Sequence, residues 1–503
     1  MGIKAMVTNS LLANYGKSIR TAPREVIFNR SLLLSPMLYA FSAIPATWDQ
    51  GSASVIPSLQ GFQKHFGIRS GADANEIRNF VSIVYVGYAA GAALSFFVND
   101  RIGRLWSFRP YTCIWTVGQV VGAFAPGLPG LYASRIISGL GIGALTATGP
   151  MSIVEIAPTE IRGLLTAWFV VAMGLSLVSS VFCVDGVFLH IPPSRLQYQT
   201  VFFSPCIFMF LCNIGSFLAC ESLRWLMLVD RQGEATRSLA RLRGMPADHP
   251  RVQGEIRDIE ISINKSRMES GDSFLGVMRE TFLVPSNLRR VQQTLVSYAL
   301  AQLSGANSVT SYFVPILTLM GVGGGTTRNL FLTGMYGMSK FFFCLIASFF
   351  FIDALGRRKS LFVGITLQMM SDIFIGVYIK YKQEGTVPKA SSEAAIAAIF
   401  IHAFGYAVGL LTLPYVFGGE LWPNRIRSFG AQTDNWGAFL FFAGWCFISF
   451  LYVYLMVPEV AGLSVEQIDS IFEGHWFKAR QRVKQVQPIY AVGNAEDGCD
   501  KNW

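Results

Sequence analysis

Apolar residues run along this chain in blocks of about twenty, separated by short clusters of charge. A block of that length crosses the hydrocarbon core of a bilayer as an α-helix rising about 1.5 Å per residue. The pattern predicts spans at Leu32–Val55, Phe80–Asn99, Ser107–Pro126, Leu131–Ile153, Leu164–Leu189 and Tyr198–Ala219. A polar stretch, Glu221–Arg290, follows. Five more spans are predicted at Val291–Met320, Asn329–Ile352, Ser360–Ile379, Ala394–Glu420 and Trp436–Val457. The polar stretch alternates acids and bases (Glu234, Arg237, Arg241, Glu255, Arg257, Asp258, Glu260) at helical spacing and reads as short surface helices. The expected organisation is an N-terminal cytoplasmic segment 1–30, a six-helix bundle 31–220, a linker 221–290, a five-helix bundle 291–457 and a tail 458–503.

Composition agrees with an all-α membrane protein. Of 503 residues, 52% are hydrophobic and 14% charged, against about 25% charged in soluble domains, and the mean hydropathy is +0.41. The apolar blocks are too long for a transmembrane β-barrel, whose strands alternate over about ten residues. The net charge of +10 does not indicate nucleic acid. Basic residues precede the first span (Lys17, Arg20, Arg24, Arg30) or fill a loop between later ones (Arg357, Arg358, Lys359), as the positive-inside rule expects of cytoplasmic segments, and do not form one basic face. The eight cysteines are scattered without CxxC or Cys/His spacing, so neither a disulfide framework nor a metal site is expected. No cofactor is expected either. The first thirty residues are polar and basic and do not read as a removable signal peptide. The sequons at Asn29 and Asn264 fall on the cytoplasmic side of this topology and are expected to be unused.

An internal repeat is the most informative feature. Asp100-Arg101-Ile102-Gly103-Arg104 follows the second span, and Asp353-Ala354-Leu355-Gly356-Arg357-Arg358 follows the eighth. Glu155 ends the fourth span with Arg162 beyond it, and Glu420 ends the tenth with Arg425 and Arg427 beyond it. Glu221 ends the sixth, with Arg224 close by, and Glu459 ends the last. Charges repeated in register at helix ends can bridge helices within each half and lock the inner side shut; the alternative is that they only mark loop topology. Parallel halves of this kind are the architecture of transporters with a repeat axis along the membrane normal. One spacing departs from the repeat. Roughly sixty residues separate Arg162 from Glu221, but only about thirty separate Arg427 from Glu459, too few for two spans. The eleventh helix therefore reads as missing, with its flanks joined near Gln432–Asp434, and about eleven spans are expected where a complete repeat would have twelve.

These residues carry a family resemblance. The chain resembles the sugar porters of the major facilitator superfamily, especially fungal members that carry sugars, quinate or uronic acids. Matching stretches are Asp100 to Arg104, Arg135 to Gly143, Glu155 to Gly163, Glu221 to Leu226, Gln302 to Asn307, Glu420 to Arg427 and Pro458 to Ser464. The resemblance implies two pseudo-symmetric helical bundles around a central cavity, working by alternating access. It implies a transporter in place of an enzyme, with a sugar or sugar acid and protons as partners in a lipid bilayer. A monomer in the plasma membrane is expected.

Candidate chemistry lies in the spans. Asp49 and Arg135 fall at similar depth in the outer half of the membrane, where a buried acid is costly unless paired and so marks a functional candidate. In proton-coupled relatives an acid at the position of Asp49 titrates against an arginine like Arg135. Here the local sequence is Trp48-Asp49-Gln50-Gly51, where the family usually has Gly-Tyr-Asp. Lys340 stands midway along the eighth span, too deep to snorkel; it reads either as the structural partner of Asp372 in the ninth or as a cavity cation that attracts a carboxylate. Gln302, Asn307 and Tyr312 offer amide donors and acceptors with a flanking aromatic, which suits sugar hydroxyls; interhelical hydrogen bonding is the plainer account. Resemblance adds Tyr415, where sugar porters often have Trp. His402 reads as a packed residue. Export of a metabolite and non-transporting nutrient sensing are the alternatives to uptake, and the fold alone does not separate the three.

Overall fold

The first predicted span folds as two helices, α1 (Arg30–Ala40) and α2 (Ile44–Val55), joined by a 3-10 turn at Phe41–Ala43. Pro36 lies inside α1 and Pro45 in the first turn of α2; a proline lacks the N–H that would continue the helical ladder. The computed structural model describes residues 29–68, 74–158, 161–270, 300–320, 325–347, 357–385 and 387–410. The expected eleventh span at Trp436–Val457, and the junction near Gln432–Asp434, lie outside the described residues.

Along the rest of the N-terminal half come α3 (Gln60–Phe66), α4 (Ala74–Ser82), α5 (Val84–Ile102), α6 (Arg104–Ala123), α7 (Leu128–Ile156), α8 (Arg162–His190) and α9 (Arg195–Gly215). The polar stretch folds as α10 (Leu223–Leu228), α11 (Gln232–Arg243) and α12 (Pro250–Ser270). The C-terminal half contributes α13 (Ala306–Ser311), α14 (Phe313–Leu319), α15 (Gly325–Ile346), α16 (Arg357–Gln383) and α17 (Lys389–Val408). All regular secondary structure among the described residues is helical. Seven described helices are long and apolar enough to cross a bilayer. Most start or stop about a turn beyond the predicted span, because polar end residues such as Arg104 and Arg162 extend the helix past its apolar centre.

Close backbone approach organises the N-terminal bundle. On α5, a Cβ at Gly87 would lie 2.3 Å from the Ile136 carbonyl oxygen of α7, and one at Gly91 only 2.0 Å from that of Leu140. In return, Gly139 and Gly143 of α7 face the carbonyls of Val84 and Tyr88. Gly141, on another side of α7, meets the backbone of Tyr111 and Trp115 on α6. In lipid, where helix association gains little from the hydrophobic effect, such small-residue contacts supply the packing. Gly91→Leu is expected to force α5 and α7 apart, at a cost of about 3 kcal/mol or more. A loss of monodisperse protein in size-exclusion chromatography, with Ala93→Leu at an exposed position of α5 as the control, would register it.

The C-terminal half repeats this arrangement. α17 packs against α16 and α15, as α7 packs against α6 and α5, and Gly364 on α16 touches Gly405 and Gly409 on α17. Between the halves, α8 lies against both α2 and α15. Gly174 of α8 receives the Phe341 ring, and Gly334 of α15 receives the Phe182 ring. The two rings lock the helices reciprocally.

Candidate functional site

At the basic-loop end, the helix α6 begins at a tight turn. Gly103 adopts φ 95°, a left-handed conformation that a side chain would strain, and a Cβ there would lie 2.7 Å from the Glu221 carboxylate. Glu221 accepts hydrogen bonds from the backbone N–H of Arg104 (2.9 Å), Leu105 (3.0 Å) and Ser222 (2.9 Å). These are orphan donors at a helix start, where a carboxylate also meets the favourable end of the helix dipole. Burial pushes the Glu221 carboxyl above its ordinary range, and the backbone donors offset part of that rise. Arg104 makes a bidentate pair with Glu155 (3.0 and 3.1 Å) and reaches Asp100 at 3.0 Å. Ser222 bridges the system by donating to Glu155 and accepting from Trp225 N–H.

The expected charge network is thus only partly a network of charge pairs. Glu221 acts as a helix cap supplied by another span; it makes no ion pair among the described residues. Arg101 and Arg224 are exposed and make none among the described residues, since their helical phases point away from the acids. The side chains of Arg162, Arg357 and Arg358, and all of Asp353, Glu420, Arg425, Arg427 and Glu459, lie outside the described residues. One member escaped sequence reasoning. Arg243 of α11 is buried, donates to the Ile156 carbonyl at the end of α7 (3.2 Å), and pairs with Glu255 of α12 at 2.8 Å. Only the charge alternation of the linker hinted at it.

Asp49 of α2 and Arg135 of α7, expected together in the outer half, form a bidentate pair, with one contact at 3.1 Å. They are only 5% and 2% exposed. The interruption at Ile83 between α4 and α5 leaves the Phe80 carbonyl to accept from Arg135 Nε at 2.9 Å, and the guanidinium stacks over the Phe80 ring. Gly51, two residues past Asp49, admits Ser180 and Leu177 of α8 beside the pair.

The seventh span is discontinuous. Gly305 turns left-handed (φ 82°) after Ser304, and Tyr312, half-buried, breaks the helix again between α13 and α14. Sequence reasoning had it continuous. Gln302 and Asn307 flank the first break, and Asn307 donates to Gln302 at 2.8 Å. Asn307 in turn accepts from Gln50 of α2 at 3.1 Å, so an amide chain crosses from one half to the other. Gln50 was not among the candidate residues; its place next to Asp49 was the available signal.

Lys340 of α15 is 7% exposed. Its Nζ donates to Thr310 of α13 at 2.9 Å and lies over the Tyr406 ring. The structural pair with Asp372 does not form. Asp372 faces His402 of α17 at 3.5 Å, and Lys340 has no carboxylate partner among the described residues. Tyr415 lies outside the described residues. None of the six described cysteines is in a disulfide, and no group of metal-ligating side chains occurs among the described residues.

Paired helical halves, a broken span at their interface and buried charges in the spans define a multi-pass membrane transporter of the major facilitator fold. The chain belongs to the sugar (and other) transporter family, whose pattern it matches over residues 37–434. The quinate permease of Emericella nidulans is 27% identical over an alignment 512 positions long, covering 95% of this chain and 96% of the permease. That of Neurospora terricola is 25% identical, covering 97% and 95%. Among solved structures, the proton:xylose symporter XylE bound to 6-bromo-6-deoxy-D-glucose superposes with a TM-score of 0.71 at 20% identity, covering 88% of this chain and 99% of that one. The inward-open conformation of XylE from E. coli superposes at 0.63, again at 20% identity, covering 87% and 99%.

Proposed function

We propose that this protein is a proton-coupled importer of a sugar acid, working at the plasma membrane by alternating access between the N-terminal bundle (31–220) and the C-terminal bundle (291–457). The observation that carries this reading is the adjacency of Asp49 and Gln50. Asp49 holds the buried pair with Arg135, while the next side chain reaches across the bundle interface to Asn307 and, through it, Gln302. Protonating Asp49 releases Arg135 and loosens α2 at the residue that touches the amides of the seventh span. Proton and substrate then act on one helix, and their binding free energies are linked through it. Gln302, Asn307, Tyr312 and Tyr415 are the proposed contacts to substrate hydroxyls. The Arg104–Glu155–Glu221 cluster is the proposed inner latch, with Asp100, Arg101, Arg162, Arg224, Asp353, Arg357, Arg358, Glu420, Arg425, Arg427 and Glu459 as its further members by sequence position.

Lys340 supports an acid over a neutral sugar. A buried ammonium with no carboxylate partner among the described residues, next to the broken span, is an attractive point charge for a substrate carboxylate. The relatives named as quinate permeases point to the same class. Lys340→Met is expected to lower uptake of radiolabelled quinate by at least about tenfold, the loss of roughly 1.4 kcal/mol of charge-assisted binding. Uptake of a neutral sugar, if the protein carries one, should fall less. Equal losses for both would assign Lys340 a structural role.

A further inference from the structure

A second buried pair lies in the C-terminal half, and neither the Asp49 chemistry nor the substrate contacts use it. Asp372 of α16 and His402 of α17 are both fully buried, with Oδ1 and Nε2 3.5 Å apart. Among the described residues, neither carboxylate oxygen of Asp372 nor the amide oxygen of Gln368 has a hydrogen-bond partner. A static polar pin between two helices would have its acceptors filled, because each unfilled one costs free energy out of water. Nor is a pin required for packing here. Gly364, on the same face of α16 as Gln368 and Asp372, already brings that helix into backbone contact with Gly405 and Gly409 of α17. The imidazole carries one ring N–H and Gln368 Nε2 donates toward the ring, so what is still missing is a donor for the carboxylate, and the smallest occupant that supplies one is a proton.

We infer that Asp372 and His402 together form a second proton-binding site, separate from Asp49, that is loaded and emptied while the protein works. With the imidazole's own proton on Nδ1 and one further proton shared between Asp372 Oδ1 and His402 Nε2, the pair is neutral and fits its dry surroundings. When that proton leaves, the pair carries one negative charge. The balancing charge is Lys340 of α15, whose ammonium acts electrostatically on the His402 ring. Among the described residues the other titratable groups around the site are Tyr336 of α15, which senses the Asp372 charge and hydrogen-bonds Thr310, Tyr406 of α17, which lies under the Lys340 ammonium, and buried Cys344 of α15 beside Lys340 and Tyr406.

The site is also wired to the moving part. Gln368 Nε2 sits 3.4 Å from His402 Nε2 and 3.4 Å from Ser304 Oγ, and the imidazole lies against the Ser304 backbone. Ser304 immediately precedes the left-handed Gly305 at the break of the seventh span. A change of charge at Asp372–His402 reorients Gln368 and thus bears on the hinge that positions Gln302 and Asn307.

The test is pH-difference infrared spectroscopy of the purified, lipid-reconstituted full chain, read in the carbonyl stretch of protonated carboxylic acids. No substrate is added, so the outcome is independent of the quinate reading. Wild type should show a buried-carboxyl band that survives Asp49→Asn and disappears in Asp372→Asn. His402→Gln should move its midpoint by about one pH unit or more, and Lys340→Met should move it upward, because the charge favouring release is gone. The last two variants retain Asp372, so they read the same band even if Asp372→Asn does not fold. A folded Asp372→Asn protein that keeps every pH-dependent carboxyl band would overturn the inference. So would a band that responds to sodium ions at fixed pH and not to pH itself.

Discussion

Asp49→Asn is expected to abolish uphill accumulation of substrate while leaving exchange of internal for external substrate intact. The amide is nearly the same size as the carboxylate and can still accept a hydrogen bond from Arg135, so the local packing survives. What it cannot do is gain and lose a proton. Arg135 remains tethered to the Phe80 carbonyl and stacked on its ring, which limits the disruption from losing the ionic partner. A gradient of protons then has no group through which to act on α2, since a proton at Asp372–His402 reaches only Gln368 and the seventh-span hinge, and the cycle runs only downhill. Counterflow of radiolabelled quinate should persist at a rate within about tenfold of wild type, while accumulation against a gradient falls to the equilibrium level. Accumulation unaffected by the substitution would remove Asp49 from the coupling mechanism.

The second large effect belongs to the inner latch. Arg104→Met removes the guanidinium that holds Glu155 through two hydrogen bonds and also reaches Asp100. Glu155 is then left buried with Ser222 as its remaining partner, and breaking a buried pair from one side costs about 3–5 kcal/mol. A marked fall in the thermal unfolding midpoint is expected, whereas Arg101→Met, three positions earlier and exposed, should change stability by no more than about 0.5 kcal/mol. Adding Glu155→Gln to Arg104→Met should recover part of the loss, since the unpaired charge is then gone. Strict additivity of the two substitutions would show that Arg104 and Glu155 do not act as a pair.

Sequence reasoning reached the class of protein because its signals are one-dimensional. Span length, loop charge and the recurrence of Asp100 to Arg104 at Asp353 to Arg358 need only counting. The similar depth of Asp49 and Arg135 was legible for the same reason, since counting residues from a helix end gives depth; their pairing came from the resemblance to proton-coupled relatives. Depth without azimuth misled elsewhere. Lys340 and Asp372 stand at comparable heights, yet the close contact of Gly364 with Gly405 and Gly409 turns Asp372 toward α17 and brings it to His402. Glu221 was legible as a charged helix end but not as a cap, because its partners are backbone N–H groups that leave no trace in side-chain identity. The break at Ser304–Gly305 was hidden in a motif whose apolar flanks read as one continuous span.

The central claim is that a proton accompanies each substrate molecule through this protein, and its most direct test needs no imposed pH gradient. Purified protein is reconstituted into vesicles containing a pH-sensitive dye, and radiolabelled quinate is added outside at equal internal and external pH. The account predicts that label enters and the interior acidifies together, with both absent from protein-free vesicles. Entry of label at an unchanged internal pH would contradict it.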